Sequence, residues 1–302
     1  MGGWIILIAS LAAINCSLVG TYLVLRKVAM MADAITHAVL PGIVLAFLFT
    51  GSRSSWVMLL GAGTTGIVAT LLMAFLHKRA RLQADAAIGI TFTWMFALGI
   101  ILISLFSRKV DLDPDCVLYG EVVYAPLNIW QTASGVCLGP WPAYLLALML
   151  LINLGFILLS YKELAITTFD PAFATTLGMH TTLWHYLLMA VTSFTAVASF
   201  EVVGTVLVVA LFVVPASTAY LLVQRLSAML VVAAILGIGT AVSGYYLAVW
   251  LDGSIAGAMV TVAGIIFLTV FVVKTILQQV PWSSYYLSVY YLACLSADLL
   301  TL

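Results

Sequence analysis

Charge is what this chain has least of. Only 7% of its 302 residues are Asp, Glu, Lys or Arg, and 65% are hydrophobic, giving a mean hydropathy of +1.22. A soluble domain carries about 25% charged residues. A water-facing surface cannot be built from so few, so lipid is the expected solvent for most of this chain. The formal net charge is zero, which excludes bulk attraction to nucleic acid. Cysteine is scarce and scattered: Cys16, Cys116, Cys137 and Cys294 form no CxxC. That argues against a thiolate metal site or a disulfide framework, leaving one disulfide, Cys116 to Cys137, open in an external segment. No GxxxxGK[ST] loop is present, so the chain is not expected to hydrolyse ATP alone. HExxH and GxSxG are also missing, and an enzyme reading has no constellation to stand on.

What is abundant is long apolar runs. Crossing a hydrocarbon core of about 30 Å takes roughly 20 apolar residues. Nine runs qualify: Trp4–Leu25, Ala29–Phe49, Trp56–Leu76, Asp85–Phe106, Trp141–Ser160, His180–Phe200, Val202–Val223, Ala228–Trp250 and Ile255–Val273. They show no period-2 alternation, so they read as helices and not barrel strands. The first has no basic segment before it and reads as a span, not a cleaved leader. The expected fold is all-α, a polytopic helical bundle forming one transmembrane domain over residues 1–302. No internal repeat or low-complexity tract is evident.

Basic residues orient the bundle. Arg26, Lys27, Lys78, Arg79, Arg81, Lys162, Arg225 and Lys274 fall in one set of loops, and only Arg53, Arg108 and Lys109 in the other. The first set is expected to be cytoplasmic, which puts the N-terminus outside. Residues 107–140 form an external segment with room for a short helix or a re-entrant piece. The aromatic tail over residues 281–302 reads as interfacial, with a tenth span as the alternative.

Charges inside apolar runs mark function by default. Asp33 and His37, spaced i, i+4, share one helical face about a turn apart. A carboxylate oxygen with an imidazole nitrogen suits manganese, iron or zinc better than calcium. Two ligands hold an ion loosely, as a carrier must, and a second copy of the chain would supply two more. The same pair also fits a second reading, an acid favouring a helix start followed by an interior histidine. Pro41 and Gly42, just beyond, are expected to break the helix, as at many membrane-depth ion sites.

Asp111, Asp113, Asp115 and Glu121 cluster on the external side, as a cation-attracting entrance or as a solvated loop balancing Arg108 and Lys109. Glu201 reads as a gate or an interfacial turn carboxylate, and Asp252 as a turn residue. On the cytoplasmic side, Asp170 before Pro171 reads as a helix N-cap and Gly178 as the matching C-terminal stop. A short capped helix there is something a soluble motor could push. His180 and His185 share no helical face and read as structural, and His77 as a solvated loop histidine.

These segments resemble the permeases of the ABC-type manganese, zinc and iron importers. Gly20–Leu45 is similar to that family's early segment, in which a basic pair precedes an Ala-Asp-x-x-x-His-Ala stretch. The acidic loop ending in Tyr119, Gly120 and Glu121 resembles its outer segment, and Phe169 to Gly178 its coupling segment. The stretch from Val202 to Ala219, with Val203-Gly204 and Pro215-Ala216, resembles a late span. The four occur in order across about residues 4–275. The resemblance implies a type II importer fold, with two permease chains, identical or paralogous, on a two-fold axis. It implies a cytoplasmic ATPase on each, an external metal-binding protein that delivers the ion, and a bacterial cytoplasmic membrane location. By the same resemblance Asp33 and His37 are transport-path ligands. Phe169, Asp170, Pro171, Ala174 and Gly178 then belong to the coupling helix that the ATPase receives. No permanently bound cofactor is implied, only the transported ion. A gradient-driven secondary metal transporter, with Asp33 as proton carrier, is the alternative. The tail after residue 281 departs from the family's usual ending.

Overall fold

Because lipid offers no hydrogen-bond partners, each apolar run must satisfy its backbone internally. The computed structural model, which describes residues 2–51, 55–80, 82–106, 129–131 and 137–279, resolves those runs into α-helices. Helix α1 spans Gly2–Leu25, α2 Met30–Ala38, α3 Leu40–Thr50, α4 Ser55–Arg79 and α5 Ala84–Phe106. Two short strands follow, β1 Ile129–Gln131 and β2 Cys137–Pro140, paired antiparallel. Then come α6 Trp141–Leu159, α7 Tyr161–Phe169, α8 Pro171–Thr176, α9 Thr181–Val203, α10 Thr205–Leu222, α11 Leu226–Leu251 and α12 Ile255–Gln279. Among the described residues nine segments are long and apolar enough to cross a bilayer, with α2 and α3 together making one broken span. Among the described residues the expected helical bundle therefore forms, with nine segments of spanning length.

The departures are local. The described part of the external segment is a strand pair and not a helix. Ile129 and Trp130 have the side chains that favour strands, and Gly139 takes a positive φ of 107° just before α6. The sixth and seventh spans divide at Gly204, whose φ of 83° an L-residue rarely adopts, rather than beside Glu201. Glu201 consequently sits in the last turn of α9 and not in a loop. The link after α6, expected on the cytoplasmic side, contains a separate helix, α7, that the apolar pattern does not announce. The Cys116–Cys137 question and the tail from residue 281 lie outside the described residues. Cys16 is buried, its thiol donating to Ser199 Oγ at 3.4 Å.

Helix α1 lies at the centre, against α6, α9, α10 and α11. Two apolar helices gain little by burial when the alternative neighbour is lipid, so close packing decides. Gly20 shows how: a Cβ there would collide with the Phe212 carbonyl of α10. Gly42 of α3 is a second case, where a Cβ would strike the Thr65 side chain and the Gly61 carbonyl of α4. A polar network adds direction. Asn15 Nδ2 donates to Leu146 O at 3.0 Å, Asn153 Nδ2 to Asn15 Oδ1 at 2.8 Å, and Thr195 Oγ1 to Asn153 Oδ1 at 3.1 Å. All three side chains are fully buried, and together they join α1, α6 and α9.

One end of the bundle gathers the residues expected at the cytoplasmic face. Arg26 reaches α7, and Lys274 Nζ donates to Leu221 O at 2.6 Å. Leu25, Phe169, Gln224, Met229 and Lys274 line a cavity of about 350 Å³ between them. At the other end the Trp4 ring lies against Gly139.

Candidate functional site

Helix α2 is short because its neighbours in sequence end it on both sides. Upstream, α1 closes on a Schellman turn: Val28 N–H donates to Leu23 O and Lys27 N–H to Val24 O, both at 3.0 Å. Lys27 takes the left-handed position, φ 58°, that glycine usually fills. Downstream, Pro41 has no N–H to offer the His37 carbonyl four residues earlier, so the chain re-forms as α3 after Val39. Between these stops Met31, Ala32, Ala34, Ile35, Thr36 and Ala38 are buried. Asp33 and His37 remain on the partly open face, their side chains 37% and 26% exposed.

The structure brings the two together. His37 Nε2 lies 3.5 Å from Asp33 Oδ1, so one ion at the mouth of this pair can touch an oxygen and a nitrogen at once. The imidazole is flanked by two rings of α5, Phe92 at 5.8 Å and Phe96 at 5.7 Å between centroids. Those rings limit how the imidazole can turn and leave one edge toward Asp33. Asp33 also lies in the first turn of α2, where a carboxylate is favoured by the helix N-terminus. The helix-start position and the closeness to His37 thus occur together at Asp33. Among the described residues no group of three or more His, Cys, Asp or Glu side chains is placed to hold a metal. The pair offers one oxygen and one nitrogen donor on a single helical face.

The second candidate element is α8. Asp170 caps it, with Phe173 N–H donating to Asp170 Oδ1 at 2.9 Å and Pro171 opening the first turn. It ends on a Schellman turn, with Gly178 N–H donating to Thr175 O and Met179 N–H to Ala174 O, and Gly178 has φ 77°. Ala174 is fully buried and seats the helix, whereas Phe169, Phe173 and Leu177 are 62%, 53% and 56% exposed. Phe169 closes α7 rather than opening α8. These exposed side chains leave the outward side of this short helix apolar.

Other residues fall where their local chemistry puts them. Asp252 is the left-handed cap of α11, φ 50°. His77 Nδ1 lies 2.8 Å from Leu82 O, His185 packs on Tyr186, and His180 precedes α9. Glu201 is exposed at the end of α9. Asp111, Asp113, Asp115 and Glu121 lie outside the described residues. Phe92 and Phe96 were not legible as site residues, although their i, i+4 spacing on α5 signals one shared face.

Comparison with known proteins bears on the chain as a whole. Residues 3–274 match the ABC 3 transport family. The manganese transport system membrane protein MntD of Bacillus subtilis (strain 168) is 46% identical over 268 residues, which cover 89% of this chain and 90% of that protein. The zinc transport system membrane protein TroD of Treponema pallidum (strain Nichols) is 43% identical, covering 88% of this chain and 72% of that protein. Among solved structures, PsaBC from Streptococcus pneumoniae in complex with Fab superposes with a TM-score of 0.73 at 29% identity, covering 89% of this chain and 90% of that one.

Proposed function

The chain belongs to the ABC 3 transport family, and on that premise we propose that it is the membrane-spanning permease of an ATP-driven importer of divalent transition-metal ions. The observation that carries the reading is the Asp33–His37 pair on a helix broken immediately beyond it. An oxygen and a nitrogen ligand suit manganese, zinc or iron. The relatives named for manganese and for zinc support the same class of cargo.

The cycle runs as follows. A metal-loaded binding protein docks on the external loops, where Asp111, Asp113, Asp115, Glu121 and Glu201 draw cations toward the entrance. The ion moves to Asp33 and His37, joined by the same pair from a second permease chain. A cytoplasmic ATPase seats the exposed face of α8 in a groove. Its closure on ATP moves that helix, the spans shift, and the loosely held ion leaves inward. The protein is multi-pass in the bacterial cytoplasmic membrane, with α8 on the inside.

The test is ATPase activity of the reconstituted permease, ATPase and binding protein, titrated with Mn²⁺, Zn²⁺ and Fe²⁺. Stimulation that requires the loaded binding protein and is lost in Asp33→Ala supports the importer, and the most effective ion names the cargo. Metal movement by the permease alone in proteoliposomes, driven by a gradient with no ATPase present, replaces it with a secondary transporter.

A further inference from the structure

Helix α8 and the Asp33–His37 pair lie on different elements, and a push on one reaches the other only through the groups between them. Arg26 stands at that junction. It is the last residue before the left-handed turn at Lys27, so it marks where α1 hands over to the segment that becomes α2. Its guanidinium donates from Nε to Thr168 Oγ1 and from Nη2 to Thr167 Oγ1, each at 3.0 Å. Thr167 and Thr168 are in the last turn of α7, three and two residues before the Asp170 cap of α8. The Thr167 hydroxyl spends its proton on Glu163 O at 2.7 Å, so toward Arg26 it can only accept. Burial pushes the Arg26 guanidinium down from its ordinary range, an effect that Tyr22 opposes. The fork is thus partly withdrawn from water and held by two hydroxyls of one helical turn.

We propose that Arg26 is the positioning residue that ties the α7–α8 unit to the hinge between α1 and α2, so that displacement of α8 turns the segment carrying Asp33 and His37. The proposal rests on the importer reading above. Three features give it mechanical sense. Helix α8 is stopped at both ends by its own caps and follows α7 with only Asp170 between them, so the two move together. The Lys27 turn holds a non-glycine residue at φ 58°, a conformation that persists only where its surroundings impose it. Helix α1 is fixed above the tie by the bonds of its Asn15 to Leu146 and Asn153 of α6, so motion delivered at Arg26 bends the hinge rather than carrying α1 away. A guanidinium suits this task because its planar fork engages two acceptors in one orientation, which an ammonium cannot copy.

The experiment compares ions moved with ATP hydrolysed. The full complex in proteoliposomes is given Mn²⁺-loaded binding protein, and ⁵⁴Mn uptake and phosphate release are measured on the same sample. Arg26→Met should assemble and hydrolyse ATP while the ions moved per ATP fall about tenfold, within the range for energetic coupling between sites. Thr167→Val with Thr168→Val, which removes both acceptors and leaves Arg26 in place, should do the same, and Arg26→Lys should recover part of the ratio. A wild-type ratio in Arg26→Met overturns the tie. If that variant does not assemble, the threonine pair decides, and a wild-type ratio there overturns it equally. A wild-type complex that moves no ion, by contrast, removes the importer reading and the tie with it.

Discussion

Asp33 and His37 are the residues on which the proposed chemistry depends, and their substitutions separate ligand from scaffold. Asp33→Asn keeps the volume and the helix-start position but not the charge. It should remove ⁵⁴Mn uptake while the complex still purifies whole, and normal uptake would sink the site. Phe92→Ala and Phe96→Ala test the rings that orient the imidazole. Loss of such a support typically costs a metal site 10- to 100-fold in affinity or activity, so the apparent affinity for Mn²⁺ in uptake should weaken about tenfold. The pairing of Asp33 with His37 was legible because i, i+4 is a property of one helix. The rings were not, because a contact between α2 and α5 depends on how helices distant in sequence pack together.

Single elements obey local rules, and those rules were readable. Asp170, Pro171 and Gly178 mark the limits of α8 by chemistry that needs no tertiary context, and the structure fills each role. Replacing Asp170 by Ala should cost α8 about 1 kcal/mol of stability, while Asn, also a good cap, should cost little. Retention of the ATPase on immobilised permease should follow the same order. The break after His37 was signalled by Pro41, but the reason for Gly42 is its neighbour. Gly42→Ala should lower the melting temperature of detergent-solubilised protein, and Thr65→Ala should restore only part, since the Gly61 carbonyl still blocks the Cβ. Helix α7 went unread because Ser160, where α6 ends, is neither glycine nor proline. The β1–β2 pair went unread because hydropathy says little about segments outside lipid.

At the scale of the molecule, apolar length set the number of spans and the helical class, since lipid leaves a backbone few alternatives. The arrangement of those spans was not legible, because it follows from close approaches such as Gly20 on Phe212 and from buried amides. Asn15→Leu takes two hydrogen bonds from the α1–α6 contact and should lower stability by about 1–2 kcal/mol at the values found within bilayers, read as an earlier thermal transition. Cysteine labelling checks the orientation. A membrane-impermeant maleimide should reach Thr175→Cys only in inverted vesicles and Asp252→Cys only in intact cells, and the reverse pattern would invert the bundle. The Asn15–Asn153–Thr195 joint has one more property. It contains no formal charge, and a membrane potential does work only on charge, about 2.3 kcal/mol for each elementary charge carried across 100 mV. Voltage therefore does no work on this joint, which should grip α1, α6 and α9 equally in energised and depolarised cells.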